Sequence, residues 1–256
     1  VTRTSNTLYL TVETATQPPV EPEEPEEPVD PQLPTGYVAV EYIENTSDSY
    51  VDTGILVQDG IASSVDHSYT EFPSGGSYML AANAKIGGSS NDRLYLASVN
   101  KSKNWRIALG SASAVALTDL GTAQLNVRYV ADATVNGTSF TFSLTNKTSG
   151  TAAKTVKKTL SAAVVTPDEP KTLTLFVLNT ATLQYPAKAK LYGCRIWTNG
   201  VAKLARDYVP CYEKSTKRYG LWDKVSKTFS PSNSENGFVG PEVPGEGEGG
   251  GEGEEE

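Results

Sequence analysis

At 256 residues, with 22 Gly, 15 Pro and one Met, the chain can bury one good-sized core, and its wealth of Thr, Val, Tyr and Ser favours strands over helices. The net charge of −8 is unevenly placed: six acids and no base lie between Pro18 and Pro34, seven acids and no base between Pro241 and Glu256, and without these, Glu13 and Arg3, sixteen acids face twenty-one bases. A body near +5, with only Lys157 and its neighbours clustered, argues against nucleic-acid binding, and no apolar run reaches the roughly 18 residues of a membrane span.

The chain begins with Val, without the basic-then-apolar start of a signal peptide, and reads as a piece of something longer whose export signal lies upstream. Residues 1–17 contain "SNTLYLTVETAT", where Leu8 and Leu10 alternate with Tyr9 until Pro18. They read as the last strand of a preceding domain. Residues 18–34 combine fixed proline φ with self-repelling glutamates and nothing to bury, a stiff spacer able to reach roughly 50 Å. "LPTG" at Leu33 lacks the extra residue and the apolar, basic tail of a sortase signal. Residues 241–256 are acidic and Gly-rich, a linker or tail.

Residues 35–240 show a period of two nearly everywhere. "NWRIALG" puts Trp105, Ile107 and Leu109 on one face, and "SFTFSLT" does the same with Phe140, Phe142 and Leu144. "TLTLFVL", from Thr172 to Leu178, becomes apolar on both faces and predicts a central covered strand. Asn199-Gly200 suits a two-residue type I′ turn, which would pair Thr198 with Val201 and Cys194 with Ala205. About a dozen such runs, none with helical periodicity, predict an all-β, two-sheet antiparallel sandwich of jelly-roll type.

Two segments carry a resemblance. "GYVAVEYIENTSDSYVDTGI" includes Tyr50, Asp52, Thr53 and Gly54. "CRIWTNGVAKLARDYVPCYEKSTKRYGLWD" includes Cys194, Arg206, Asp207, Pro210, Cys211, Gly220, Leu221, Trp222 and Asp223. Together they resemble the two ends of a concanavalin A-like, or laminin G-like, jelly-roll module of bacterial surface proteins and phage tail or virion proteins. The resemblance implies extracellular, cell-surface or virion placement, neighbouring domains of immunoglobulin-like type in the same longer protein, of which residues 1–17 would be a remnant, and glycan binding. It implies no catalytic activity. The two ends are expected to close the sheets, with Asp52 accepting backbone hydrogen bonds, Gly220 in a tight turn, and Leu221 and Trp222 filling core.

Chemistry-bearing patterns are sparse. The single His67 excludes a multi-histidine metal site, and "VDHS" sets Asp66 and Ser68 on the opposite face. Cys211 has no nearby base to activate it. With Cys211 roughly 20 Å along the strand from the partner of Cys194, both cysteines are expected as buried thiols, although a bend at Pro210 in an oxidising setting would permit a bridge. Glucanases of this fold class carry E-x-D-x-x-E on one strand, whereas "EYIE" splits Glu41 and Glu44 between faces. A calcium site at loop acids such as Asp92 or Asp132 is compatible with this fold class, yet no D-x-D-x-D loop supports it and no cofactor is expected. Asn-x-Ser/Thr triplets at Asn45, Asn100, Asn136 and Asn146 arise by chance in a chain this rich in those residues.

The expectation is therefore a non-enzymatic adhesion module with weak carbohydrate binding, its partner a glycan or host-surface polysaccharide. A purely structural fibre or decoration domain, with homo-oligomer contacts, is the alternative, and a glycoside hydrolase the second. With both ends committed to closure, a ligand is expected at Asn91, Asp92, Arg93, Tyr95 and Arg106. These combine amide, carboxylate and guanidinium hydrogen bonding with an aromatic face for a sugar.

Overall fold

A computed structural model of the protein describes residues 33–86 and 89–243. The strand expected in residues 1–17, most of the expected spacer and the end of the acidic tail lie outside the described residues. The first strands are β1 (Tyr37–Ala39), β2 (Ile43–Asn45), β3 (Val51–Leu56), β4 (Ala62–Glu71), β5 (Ser77–Ile86) and β6 (Ser89–Val99). The next are β7 (Arg106–Gly110), β8 (Val115–Ala116), β9 (Arg128–Asn136), β10 (Ser139–Asn146), β11 (Thr151–Thr159) and β12 (Thr172–Leu175). The last are β13 (Leu178–Asn179), β14 (Leu183–Gln184), β15 (Lys188–Thr198), β16 (Lys203–Glu213), β17 (Arg218–Asp223) and β18 (Thr228–Pro231). Among the described residues the helical content is one 3₁₀ turn, Thr118–Leu120, and no helix is long and apolar enough to cross a membrane.

The strands form a two-sheet β-sandwich. A ten-stranded sheet runs β11, β10, β9, β4, β15, β16, β17, β18, with β2 beside β15 and β1 beside β16. An eight-stranded sheet runs β14, β13, β5, β6, β7, β8, with β12 bridging β5 to β3. All pairings are antiparallel except β13 with β5. Alternation builds the core between the sheets: Val65, Tyr69, Ala131, Phe140, Phe142, Leu191 and Ile196 from the larger sheet meet Leu80, Leu94, Leu96, Trp105, Ile107 and Leu109 from the smaller. His67 is fully buried within it, its ring edge-on to Tyr69 and Trp105.

The two ends of the domain are joined. β1 pairs with β16, matching Ala39 to Cys211, and β2 pairs with β15. Beyond the strands, Glu44 bridges Val239, the Asn233 side chain accepts from the Asp52 amide, and the Ser49 hydroxyl donates to Gly237.

Three local expectations are corrected. "TLTLFVL" is two strands, because Phe176 takes φ +69 and packs its ring against Phe238, 5.1 Å between centroids. The β15–β16 turn is four residues, pairing Thr198 with Lys203; Asn199 and Gly200 do take positive φ, but a bulge at Ile196/Trp197 then sets Cys194 opposite Tyr208, not Ala205. Gly220 lies within β17 and not in a turn; a Cβ there would come within 2.6 Å of Ser230 O and the Phe229 ring, so close approach of β18 is what excludes a side chain.

Candidate functional site

The sequence-predicted ligand residues divide between two faces. Strand alternation sends Asp92, with Leu94, inward, and Arg93, Tyr95 and Arg106 to the outer face of the eight-stranded sheet, where Tyr95 packs with Tyr78, Ala81, Ala108 and Leu178. Burial raises the pKa of Asp92, opposed by the Val165 amide. Asn91 lies in β6, but its side chain is outside those described. Tyr95 is only 5% exposed, and the Arg106 guanidinium lies over it and over Tyr78, 5.3 and 4.6 Å from the ring centroids. Of the four whose side chains are described, three face outward, and the Tyr95 face is already covered.

A groove of about 250 Å³ lies instead on the outer face of the ten-stranded sheet. Its floor is β4, β9, β15 and β16, which contribute Ser64 and Asp66, Val130, Tyr192 and Arg195, and Asp207 and Val209; Lys224, after β17, closes one side. The register shift between Leu191 and Gly193 turns Tyr192 outward while Leu191 and Cys194 both stay in the core. Arg128 grips Asp66 with two hydrogen bonds, Nε at 2.8 Å and Nη2 at 2.9 Å, and its guanidinium lies 3.9 Å from the Tyr192 ring centroid. The guanidinium holds its charge more firmly there because of its hydrogen bonds to Asp66, with burial opposing. Tyr42 meets Tyr192 edge-on at 5.8 Å and carries Lys190 over its own ring. At the other end Asp207 pairs with Arg195 (3.2 Å) and Lys224 (3.5 Å). Chemically the groove offers two carboxylates, a serine hydroxyl, two cations and the Tyr192 ring side by side, with Arg128 bonded to Asp66 at its margin.

The signature residues around the groove are structural in their contacts. The Asp52 carboxylate accepts from the Gly54 amide, and Arg206 Nε donates to Thr53 O while lying 3.7 Å from Asp223. Burial alone would raise the Asp223 pKa, but hydrogen bonds from the Asp207 amide, the Ser226 hydroxyl and the Val225 and Ser226 amides hold it below the usual carboxylate range. Tyr50 is half-buried, Pro210 is buried in β16 opposite Leu221, and Trp222 packs on Tyr37 at 5.0 Å. Cys194 and Cys211 are buried and unbridged; burial pushes the first thiol far up and the second to about 12. Among the described residues no group of three or more His, Cys, Asp or Glu is placed to hold a metal.

No family model and no curated protein matches the chain. Solved structures similar to it include full-length tailspike protein 2 from an Escherichia coli O157:H7 bacteriophage, at TM-score 0.45 and 15% identity over 70% of this chain and 28% of that one. They also include the enzymatically active domain of a bacteriophage tailspike protein 2 (0.41, 16%, 72% and 34%) and a Trypanosoma rangeli sialidase (0.37, 13%, 64% and 27%). The chain spans about a quarter to a third of the length of these. Enzymes stand among the similar chains, against the expectation of a non-enzymatic module. The physical reason lies in where that expectation searched: carboxylates spaced along one strand, whereas Asp66 and Asp207 enter one groove from two strands, β4 and β16.

Proposed function

We propose that this chain is a carbohydrate-recognition module of an extracellular bacterial-surface or phage virion protein, and that its site is the groove on the ten-stranded sheet. The observation that carries the reading is the juxtaposition of the half-buried Tyr192 with Ser64, Asp66, Arg195, Asp207 and Lys224 in one groove. Sugars present hydroxyls that both donate and accept, beside an apolar CH face. Fixed carboxylates and guanidiniums satisfy the former and an aromatic edge the latter. Because each charge in the groove is held by a counter-charge, the donors and acceptors are oriented before a ligand arrives, which lowers the ordering cost of binding. The concanavalin A-like or laminin G-like jelly roll is the finer fold that suits this reading. Its support is the meeting of the two signature ends through Arg206, Thr53 and Asp223.

A glycan array followed by calorimetry on the strongest hit tests it. Tyr192→Ala and Asp207→Asn should each weaken binding by about tenfold, the loss of one ring contact or one charged hydrogen bond. Release of reducing ends that stops in Asp66→Asn or Asp207→Asn would make the groove a cleavage site. Binding untouched by all of these changes removes the groove, and binding to no glycan leaves a structural fibre domain with homo-oligomer contacts.

A further inference from the structure

The outer face of the opposite sheet holds a second arrangement with different chemistry. Tyr185, just after β14, is 43% exposed and takes φ +54, a left-handed conformation that glycine would adopt without cost. Its ring lies 5.7 Å from that of Tyr78 at 30°, over Gly75, where a Cβ would come within 2.3 Å of the ring. Tyr78 in turn stands edge-on to Tyr95 at 5.1 Å, with the Arg106 guanidinium over both. Two polar atoms here are buried without a partner, the donor Arg106 Nε and the acceptor Asn83 Oδ1. Arg93 donates to Ala112 O and to the Tyr95 hydroxyl. Among the described residues no carboxylate pairs with Arg93 or Arg106, whereas Glu169 nearby is taken by Lys85. In and beside the groove on the ten-stranded sheet Arg128, Arg195 and Lys224 are all paired.

We propose that Tyr185, Tyr78, Arg106 and Arg93 form a second binding site, a shelf for a pyranose that carries a carboxylate. The exposed Tyr185 ring offers a stacking face for the sugar's CH surface, the two guanidiniums, which no described carboxylate neutralises, donate charge-assisted hydrogen bonds to the ligand's carboxylate, and Asn83 Oδ1 is an acceptor for a ring hydroxyl. Uncommon backbone at an exposed aromatic, supported by a glycine that leaves it room, is geometry the core does not require. Folding alone would be served as well by a glycine in place of Tyr185, which would reach the same φ with no ring to accommodate.

The test is calorimetric titration of the intact chain with trigalacturonic acid, its neutral methyl ester and sialyllactose, on the unaltered protein and on Tyr185→Gly, Arg106→Gln and Tyr192→Ala. One of the two acids should bind saturably, which identifies the source of the carboxylate. That binding should weaken with salt, and by about tenfold in Tyr185→Gly, in Arg106→Gln and on methyl esterification, while Tyr192→Ala leaves it unchanged. Tyr185→Gly should keep or raise Tm, an outcome opposite to that of losing a packing ring. The proposal is overturned by failure of both acids to bind the unaltered protein, by unchanged binding in Tyr185→Gly, by a lowered Tm in that variant, or by a loss in Tyr192→Ala alone. If Arg106→Gln does not fold, Tyr185→Gly decides.

Discussion

His67 shows how one side chain sets a condition on the whole domain. Its Nδ1–H donates to Val65 O at 3.1 Å, which leaves Nε2 as a bare acceptor with no partner, enclosed by Tyr69 and Trp105. Burial lowers its pKa from 6.5 to about 4, against smaller opposing effects of the Val65 hydrogen bond and the Asp66 charge. The unfolded chain therefore takes up the proton first. The contribution of His67 is complete above pH 6.5, declines as the pH falls from 6.5 toward 4, and changes no further below that, a loss of about 3 kcal/mol in all. Melting temperatures measured between pH 7.5 and 4.5 should show this decline, and in His67→Phe the corresponding part of the slope should disappear. An identical slope in the variant would place the acid sensitivity elsewhere. In the sequence His67 reads as a loop or surface histidine, whereas the structure buries it fully in β4; alternation places Asp66 and Ser68 on the other face, but the depth of its burial depends on Trp105, which arrives from the opposite sheet.

Elements were more legible than the way they pair. Strands such as β7 and β10 follow directly from alternation, because one face must meet a core and side chains repeat every two residues. Register is harder to read. A two-residue turn at Asn199-Gly200 is locally favourable, yet the chain forms a four-residue turn and absorbs the shift in a bulge, which keeps Ile196 and Ala205 both buried. That register has a chemical consequence. Cys194 faces Tyr208, and Cys211 lies three residues further along β16, so their Cα atoms are roughly 11 Å apart by strand rise and spacing, beyond the ~7 Å limit of a disulfide. Alkylation after denaturation without reductant should add two labels per chain, and alkylation of the folded protein should be slow at both raised, buried thiols. A mass two hydrogens light, with no label added, would show a bridge and a different β15–β16 pairing. The groove was illegible for the same reason: Asp66, Tyr192 and Asp207 are each readable as outward residues, but only the strand order β4, β15, β16 sets them together.

At the scale of the molecule, the ten-stranded sheet ends in β11, an edge whose free backbone groups are a template for a further strand. Its sequence, "TAAKTVKKT", forms a regular nine-residue strand with no proline, so something other than conformation must keep a second chain from adding on. Cross-strand pairing indicates what does. Lys154 stands opposite Leu144, Val156 opposite Phe142, and Lys158 opposite Phe140, so the two lysines lie on the side of the strand that faces the core and flank the one valine that packs against it. Lys158 reaches Asp119 at 3.7 Å, a pair too exposed to add much stability. Their effect is on the edge: an incoming strand in register would have to bury or crowd both charges. Replacing them in Lys154→Val/Lys158→Val extends the apolar face to the rim and removes that cost without touching a core contact. The variant should fold, with a melting temperature near that of the unaltered protein, and should associate at lower concentration, seen as a concentration-dependent rise in mass by light scattering. Equal masses for the two proteins across the same concentration range would mean that the twist and exposure of β11 alone protect the edge, and that the lysines are solvated residues with no part in it.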